Sequence, residues 1–220
     1  MGDAGSGGFA GFLRQAGVTT ATRATTPTIT ASRAGRAMRR SVRATLPVMG
    51  LRERLLADFD HEIASTRRLL MCLPDDRLSW TPYERSRTLG ALVGHLVEVL
   101  TWATPILTTA SFDLTPGDDP PDSRPLPPPL PASCAAAVGL FDTEAAKTRA
   151  ALDRSDAEYK ALWKLKRDGD ELFVLPREAA LRAFVLHHLI HHRGQLTVYL
   201  RLCGVTLPAI YGPTADTQAG

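Results

Sequence analysis

The sequence predicts an all-α protein, a four-helix bundle with one long crossover connection and a small β-hairpin before its last helix. Four segments place apolar residues at the three- and four-residue spacing of an amphipathic helix. A stretch at residues 111–131 separates the second segment from the third and holds eight of the sixteen prolines. Because such a stretch runs over the surface as a semi-rigid spacer, it is typical of a bundle with one crossover.

Composition limits the classes of protein to consider. The chain has 220 residues, of which 44% are hydrophobic, and this suits one core-bearing domain, predicted over residues 49–217. The first fifty residues contain seven arginines and one aspartate, so the other 170 carry a net charge of −3. A mildly acidic folded part lacks the basic surface of a nucleic-acid binder. No apolar run is long enough to span a membrane, so neither nucleic acid nor a membrane is an expected partner.

Residues 1–48 are predicted to form a disordered basic leader. They are rich in Gly, Ala, Thr, Ser and Arg and follow neither the helical nor the strand period. An organelle targeting segment has this composition. Alternatively, the translation start has been assigned too far upstream, since Met38 and Met49 both precede the first helix. We favour this second interpretation.

The three cysteines indicate the cellular compartment. Cys72, Cys134 and Cys203 lie far apart, each among apolar residues, and none belongs to a C-x-x-C pair. This pattern is typical of buried thiols in a reducing compartment, so we expect a cytoplasmic protein.

The first two helices follow from their apolar stripes and their end signals. The first is predicted over about residues 51–73, before Pro74. The second begins after Thr88, a suitable N-cap, and runs to near Trp102, with Pro105 expected to close it. The stripe of the first helix comprises Leu55, Leu56, Phe59, Ile63, Thr66 and Leu70.

The second helix carries the first candidate site residues. His95 lies in the middle of its apolar stripe, and Glu98 borders the same face one turn later. A single histidine on an apolar face is more often a hydrogen-bonded core residue than a ligand. His95 alone therefore does not indicate a metal site.

After the crossover, a third helix is predicted over about residues 132–152, with Phe141 and Ala145 on its apolar face. Two extended runs, residues 161–165 and 171–174, flank turn residues and predict the small hairpin. The last helix begins at Pro176 and ends before Gly204, which suits the C′ position.

The last helix holds four of the six histidines within residues 187–192. His188 and His192 are about 40° apart and lie in the middle of the apolar stripe, whereas His187 and His191 fall on its flank or beyond it. Two imidazoles one turn apart on one face can ligate a single metal ion. Leu189 stands where a zincin requires glutamate, which excludes that class, and the Glu-x-x-His pairs of ferritin-like di-iron proteins are absent.

In a bundle, His95 could meet His188 and His192 in the core. Three neutral imidazoles would hold one divalent ion and leave a position for water or substrate. Glu98 and Gln195 are the candidate catalytic residues: Glu98 as a general base or as the partner of an imidazole, and Gln195 because it shares the ligand face. The alternative is a polar patch in the core, satisfied by hydrogen bonds and water.

Three features together resemble the DinB/YfiT-like family. They are the run H-L-I-H-H-R-G-Q at residues 188–195, the remote His95, and the ending from Gly204 to Pro213. The resemblance covers about residues 51–217. It implies a four-helix bundle with one metal site, and it matches His95, His188 and His192 to the family's ligands.

The resemblance also implies an activity. Members with assigned activities are metal-dependent thiol transferases that use small-molecule thiols, or metal-dependent hydrolases. A zinc, nickel or iron ion would suit three imidazoles equally. We therefore expect a homodimeric metal-dependent enzyme acting on small molecules, with thiol transfer ahead of hydrolysis. A non-catalytic, stress-related metal-binding bundle remains the alternative.

Overall fold

The computed structural model describes residues 49–115 and 130–217. The predicted leader, residues 1–48, lies outside the described residues, as does most of the proline-rich connector. The other predicted elements fall within the described ranges, and the architecture is the predicted helical bundle with a small sheet.

The first helix of the bundle, α1, spans Leu51–Leu70. The backbone N–H groups of Leu51 and Arg52 both donate to the Asp156 carboxylate, 3.1 Å from each nitrogen, so a distant acid caps this helix. Its inner face buries Leu55 and Phe59 as the stripe predicts, and also a carboxylate that the stripe does not predict, Glu62.

The second helix, α2, spans Leu89–Thr101 and begins as predicted. The Thr88 hydroxyl accepts a hydrogen bond from the backbone N–H of Ala91 at 3.1 Å, which confirms the N-cap. The prediction that Pro105 closes the helix is wrong, because a short helix, α3 (Ala103–Thr108), follows directly and contains it. Pro105 lies in the first turn of α3, where a missing N–H costs no intrahelical bond.

The third long helix, α4, spans Cys134–Ala151 and is followed by the short helix α5 (Asp156–Lys160). The predicted hairpin is present, with β2 at Leu162–Arg167 and β3 at Asp170–Pro176. Its turn has positive φ at Asp168 and Gly169, as a tight hairpin turn requires. A further strand, β1 (Ser111–Asp113), pairs in parallel with β2 and was not predicted from the sequence.

The last helix is continuous from Arg177 to Leu202 but changes its winding. It consists of α6 (Arg177–Leu181), a π-helical turn over Arg182–Leu186, and α7 (His187–Leu202). Gly204 follows with φ of 76°, which confirms the predicted helix end. The π turn lies immediately before the histidine-rich segment.

The long helices surround one core. α1 and α2 each pack against both α4 and α7, so α2 and α7 are neighbours and their histidine-bearing faces meet. The segment Leu89–Thr108 is long and apolar enough to cross a membrane, with a mean hydropathy of 1.4, but 67% of it is buried inside the protein. It is therefore explained as the core helix of the bundle. The three cysteines are half-buried rather than fully buried as predicted.

Candidate metal centre

Three imidazoles converge in the space between α2 and α7. The Nε2 atom of His188 lies 3.2 Å from that of His95 and 2.7 Å from that of His192. One ring nitrogen from each residue falls within 4.8 Å of the other two. His95 and His188 are 2% and 3% exposed, whereas His192 is half-buried, so the cluster reaches the surface at one side only.

Two neighbouring side chains hold the outer histidines in place. The Nδ1 atom of His95 lies 2.7 Å from a carboxylate oxygen of Glu98, one turn along α2. The Nδ1 atom of His192 lies 2.7 Å from the amide oxygen of Gln195, whose nitrogen in turn approaches His191 at 3.2 Å. Both oxygens are acceptors, so each histidine carries its proton on Nδ1.

This proton arrangement leaves lone pairs facing one another. With Nδ1 protonated, the Nε2 atoms of neutral His95 and His192 are both acceptors, and both point at Nε2 of His188. His188 has at most one proton on that nitrogen and can satisfy only one of them. A cation at the centre would satisfy all three nitrogens, so the donor set fits a divalent metal ion.

The local electrostatics keep two of the imidazoles neutral. Burial, with smaller contributions from the neighbouring histidines and Arg87, lowers the pKa of His188 to about 3. Burial likewise lowers the pKa of His192 to about 4, against the hydrogen bond that its ring N–H donates to Gln195, which raises it. Near neutral pH both rings are therefore uncharged, which is the form that binds metal ions.

An indole closes one side of the cluster. The Trp102 ring stands edge-on to His95 and to His188, with centroids 6.0 and 5.0 Å apart. His187, on the opposite flank of α7, is exposed and is not part of the cluster, as the helical projection predicts. His191 is also exposed and contacts Gln195 and the edge of the His192 ring.

A second polar cluster lies on the other side of α7. Arg193 is 2% exposed, and its guanidinium lies 2.6 Å from the Glu62 carboxylate of α1. The Tyr211 hydroxyl donates to that carboxylate and accepts from Arg193. The helical projection places Arg193 about 140° from His188, off the ligand face, which predicts a structural salt bridge or an interface contact, and the structure shows the salt bridge. Glu62 was not predicted as its partner, although its position three residues after Phe59 places it on the buried stripe.

A model of the DinB family matches residues 47–219, which is most of the chain. The chain belongs to the DinB family. Among curated proteins, this DinB-family chain is 26% identical over 170 residues to the uncharacterized protein YrdA of Bacillus subtilis (strain 168), covering 76% of this chain and 92% of YrdA.

Two solved structures share the fold. A DinB-like protein from Bacillus cereus ATCC 10987 is 24% identical, with a TM-score of 0.51, and the match covers 71% of this chain and 95% of that one. The DinB-like protein YjoA from Bacillus subtilis is 21% identical, with a TM-score of 0.54, and the match covers 73% of this chain and 99% of that one. At these identities the likeness establishes the DinB-like fold alone.

Proposed function

We propose that this DinB-family protein binds one divalent metal ion through Nε2 of His95, His188 and His192 and uses it for catalysis on small molecules. The observation that carries the proposal is the convergence of three nitrogens within 4.8 Å with their lone pairs directed inward. The donor set suits zinc, nickel or iron.

Glu98 and Gln195 have a clearer role than the sequence suggested. Each bonds the outer nitrogen of a histidine and so fixes the ring orientation and tautomer. We assign both as positioning residues rather than as groups that touch substrate. Because the Glu98 carboxylate is hydrogen-bonded to His95, this carboxylate is also less available as a general base.

Thiol transfer suits this arrangement better than hydrolysis. A divalent ion at the cluster would lower the pKa of a thiol or a water and so supply a nucleophile near neutral pH. A thiol ionises at such an ion without a separate base, and the nearest carboxylate is bonded to His95. We therefore place S-transfer from a low-molecular-weight thiol first and metal-dependent hydrolysis second.

Access to the cluster favours an enzyme over a non-catalytic metal-binding protein. His192 is half-buried and Gln195 is exposed, so the cluster opens toward solvent on the α7 side. A purely structural site would be closed by a fourth protein ligand. The cytoplasmic location, which is expected from the cysteine pattern, and the homodimer, which is expected from the family resemblance, are proposed with it.

Metal content of the untagged protein tests the proposal. We expect about one equivalent of a first-row divalent metal by elemental analysis, lost in His192→Ala and retained in the matched control His187→Ala. Circular dichroism of each variant checks that the bundle is intact. A folded wild type that stays metal-free after reconstitution would overturn the proposal. If metal is bound, consumption of small thiols in the presence of electrophiles distinguishes transfer from hydrolysis.

A further inference from the structure

A cavity lies between α3, α5 and the start of the last helix, away from the histidine cluster. Its volume is about 220 Å³, and it is lined by Leu107, Thr108, Arg154, Glu158, Ala161 and Arg177. Arg177 precedes His188 by eleven residues on the continuous last helix, which corresponds to about 16 Å along the helix axis. The cavity is therefore separate from the metal centre, and the proposed function does not use it.

The lining of the cavity carries a net positive charge. It contains two guanidiniums, those of Arg154 and Arg177, and one carboxylate, that of Glu158, which gives a net charge of +1. Nη1 of Arg154 lies 3.4 Å from that carboxylate. The same carboxylate accepts hydrogen bonds from the backbone N–H and the hydroxyl of Ser155, both at 2.8 Å. Because Ser155 supplies these two donors, the charge of the guanidiniums remains available to an anion in the cavity.

One end of the Arg177 side chain is fixed. Its Nη1 donates to the carbonyl oxygens of Ile106, at 3.1 Å, and of Leu107. Both carbonyls lie in the last turn of α3, where such groups have no intrahelical partner. The backbone N–H of Arg177 donates to the Ala161 carbonyl at 2.9 Å. A ligand in the cavity would therefore meet a guanidinium already in position, which lowers the entropy lost on binding.

The other edge of this guanidinium is formed by Nε and Nη2. Among residues 49–115 and 130–217, neither of these two atoms of Arg177 has a hydrogen-bond partner, and Nε is buried. Arg149 shows what this edge can bind, because its Nε and Nη2 hold the carboxylate of Asp60 at 2.8 and 2.9 Å. A buried donor without an acceptor costs free energy, and in folded proteins such donors are nearly always satisfied. An anion in the cavity would satisfy both nitrogens of Arg177.

We propose that this cavity is an anion site, in which Arg177 binds a phosphate group through Nε and Nη2 while Arg154 stabilises its charge. A phosphate presents two oxygens to one guanidinium and keeps further oxygens for a second donor, which suits a site with two arginines. The cavity is smaller than the roughly 300 Å³ at which drug-sized pockets begin, so it fits inorganic phosphate or the phosphate end of a small ester. The site is independent of the proposed function.

Amide NMR of the isotope-labelled protein, titrated with inorganic phosphate, tests this assignment. The Nε–H of Arg177 is buried and should exchange slowly enough to give its own signal, which Arg177→Lys identifies by removing it. We expect phosphate to shift that signal and the backbone amides of Leu107 and Ala161, with a millimolar or lower Kd. Acetate should bind about tenfold or more weakly, because it has no oxygen left for the second arginine. Methyl phosphate, titrated in parallel, shows whether the site prefers an ester or the free ion.

Substitutions show which side chains hold the phosphate. Arg177→Lys keeps the positive charge and a donor for the α3 carbonyls but loses the paired donors, so binding should weaken about tenfold or more. Arg154→Gln should also weaken binding. Glu158→Gln should strengthen it, because this change removes a negative charge and keeps an acceptor for Ser155. The last two variants alter partly exposed side chains, so they decide the question even if Arg177→Lys fails to fold.

Two controls separate this site from others. Arg149→Gln should bind phosphate like the wild type, since Asp60 already occupies that guanidinium, and so should His192→Ala, which is expected to be metal-free. The proposal is overturned if phosphate shifts none of these signals, if acetate binds as tightly, or if His192→Ala loses phosphate binding. Unchanged affinity in Arg177→Lys or Arg154→Gln, with circular dichroism showing an intact bundle, would overturn it too. None of these results counts against the metal centre.

Discussion

Removing the carboxylate of Glu62 should destabilise the bundle severely. The Arg193 guanidinium is 2% exposed, and Glu62 is its only ion-pair partner among the described residues, at 2.6 Å. In Glu62→Ala the buried cation would keep only neutral acceptors: the residue-62 carbonyl at 3.2 Å, the Thr66 hydroxyl at 3.5 Å and the Tyr211 hydroxyl. Breaking one side of a buried pair costs about 3–5 kcal/mol of unfolding free energy.

Urea denaturation followed by circular dichroism measures this cost against two reference variants. Asp142→Ala removes an ion pair of similar length, 2.9 Å to Arg67, but both of its side chains are over 40% exposed. That variant should lose less than about 1 kcal/mol. The double variant Glu62→Leu/Arg193→Met replaces the pair with apolar groups and should recover most of the loss. If Glu62→Ala costs no more than Asp142→Ala, the reasoning about burial is refuted.

Three further outcomes are expected. Glu98→Leu and Gln195→Leu should each weaken metal affinity by about 10- to 100-fold in chelator competition, because they release the outer nitrogens of His95 and His192, and unchanged affinity would contradict their positioning role. The metal-free protein should lose stability as pH falls from 6.5 toward about 4, because unfolding raises the pKa of His188 and His192 and so takes up protons. The loss should be no more than about 1.4 kcal/mol per pH unit for each histidine. A urea midpoint that stays constant over that range would contradict this expectation. Thr88→Ala should cost about 1 kcal/mol by removing the α2 cap, and an unchanged midpoint would count against it.

Local patterns predicted the helices and the histidine faces. The periodicity of α2 and α7 depends only on residues within a few turns, and it placed the buried His95 and His188 and the half-buried His192 on the inward faces. The Thr88 cap and Gly204 end depend on single residues in short contexts. Periodicity could not supply the pairing between helices. The expectation that His95 meets His188 and His192 came from the predicted bundle, and the family resemblance supported it.

Features that depend on distant parts of the chain were missed. β1 is only three residues long and exists because Ser111 meets Lys164 in another element, so it shows no alternation of its own. The Glu62, Arg193 and Tyr211 cluster joins three segments, and only the arginine could be recognised as a partner in a salt bridge. Pro105 was misjudged because a new helix can start one residue after another ends.

The π turn at Arg182–Leu186 has the geometry that a one-residue insertion leaves in an α-helix. It separates the last helix into α6 and α7, which have different neighbours. α6 faces the sheet and α3, while α7 presents its histidines to α2. Because the wider π turn absorbs its extra residue within one turn, deleting Ala183 would return the turn to α-helical winding while α6 stays close to its present rotation relative to α7. The extra residue therefore widens the helix immediately before His187, while the hairpin keeps its direction over the bundle and His188 and His192 keep their spacing.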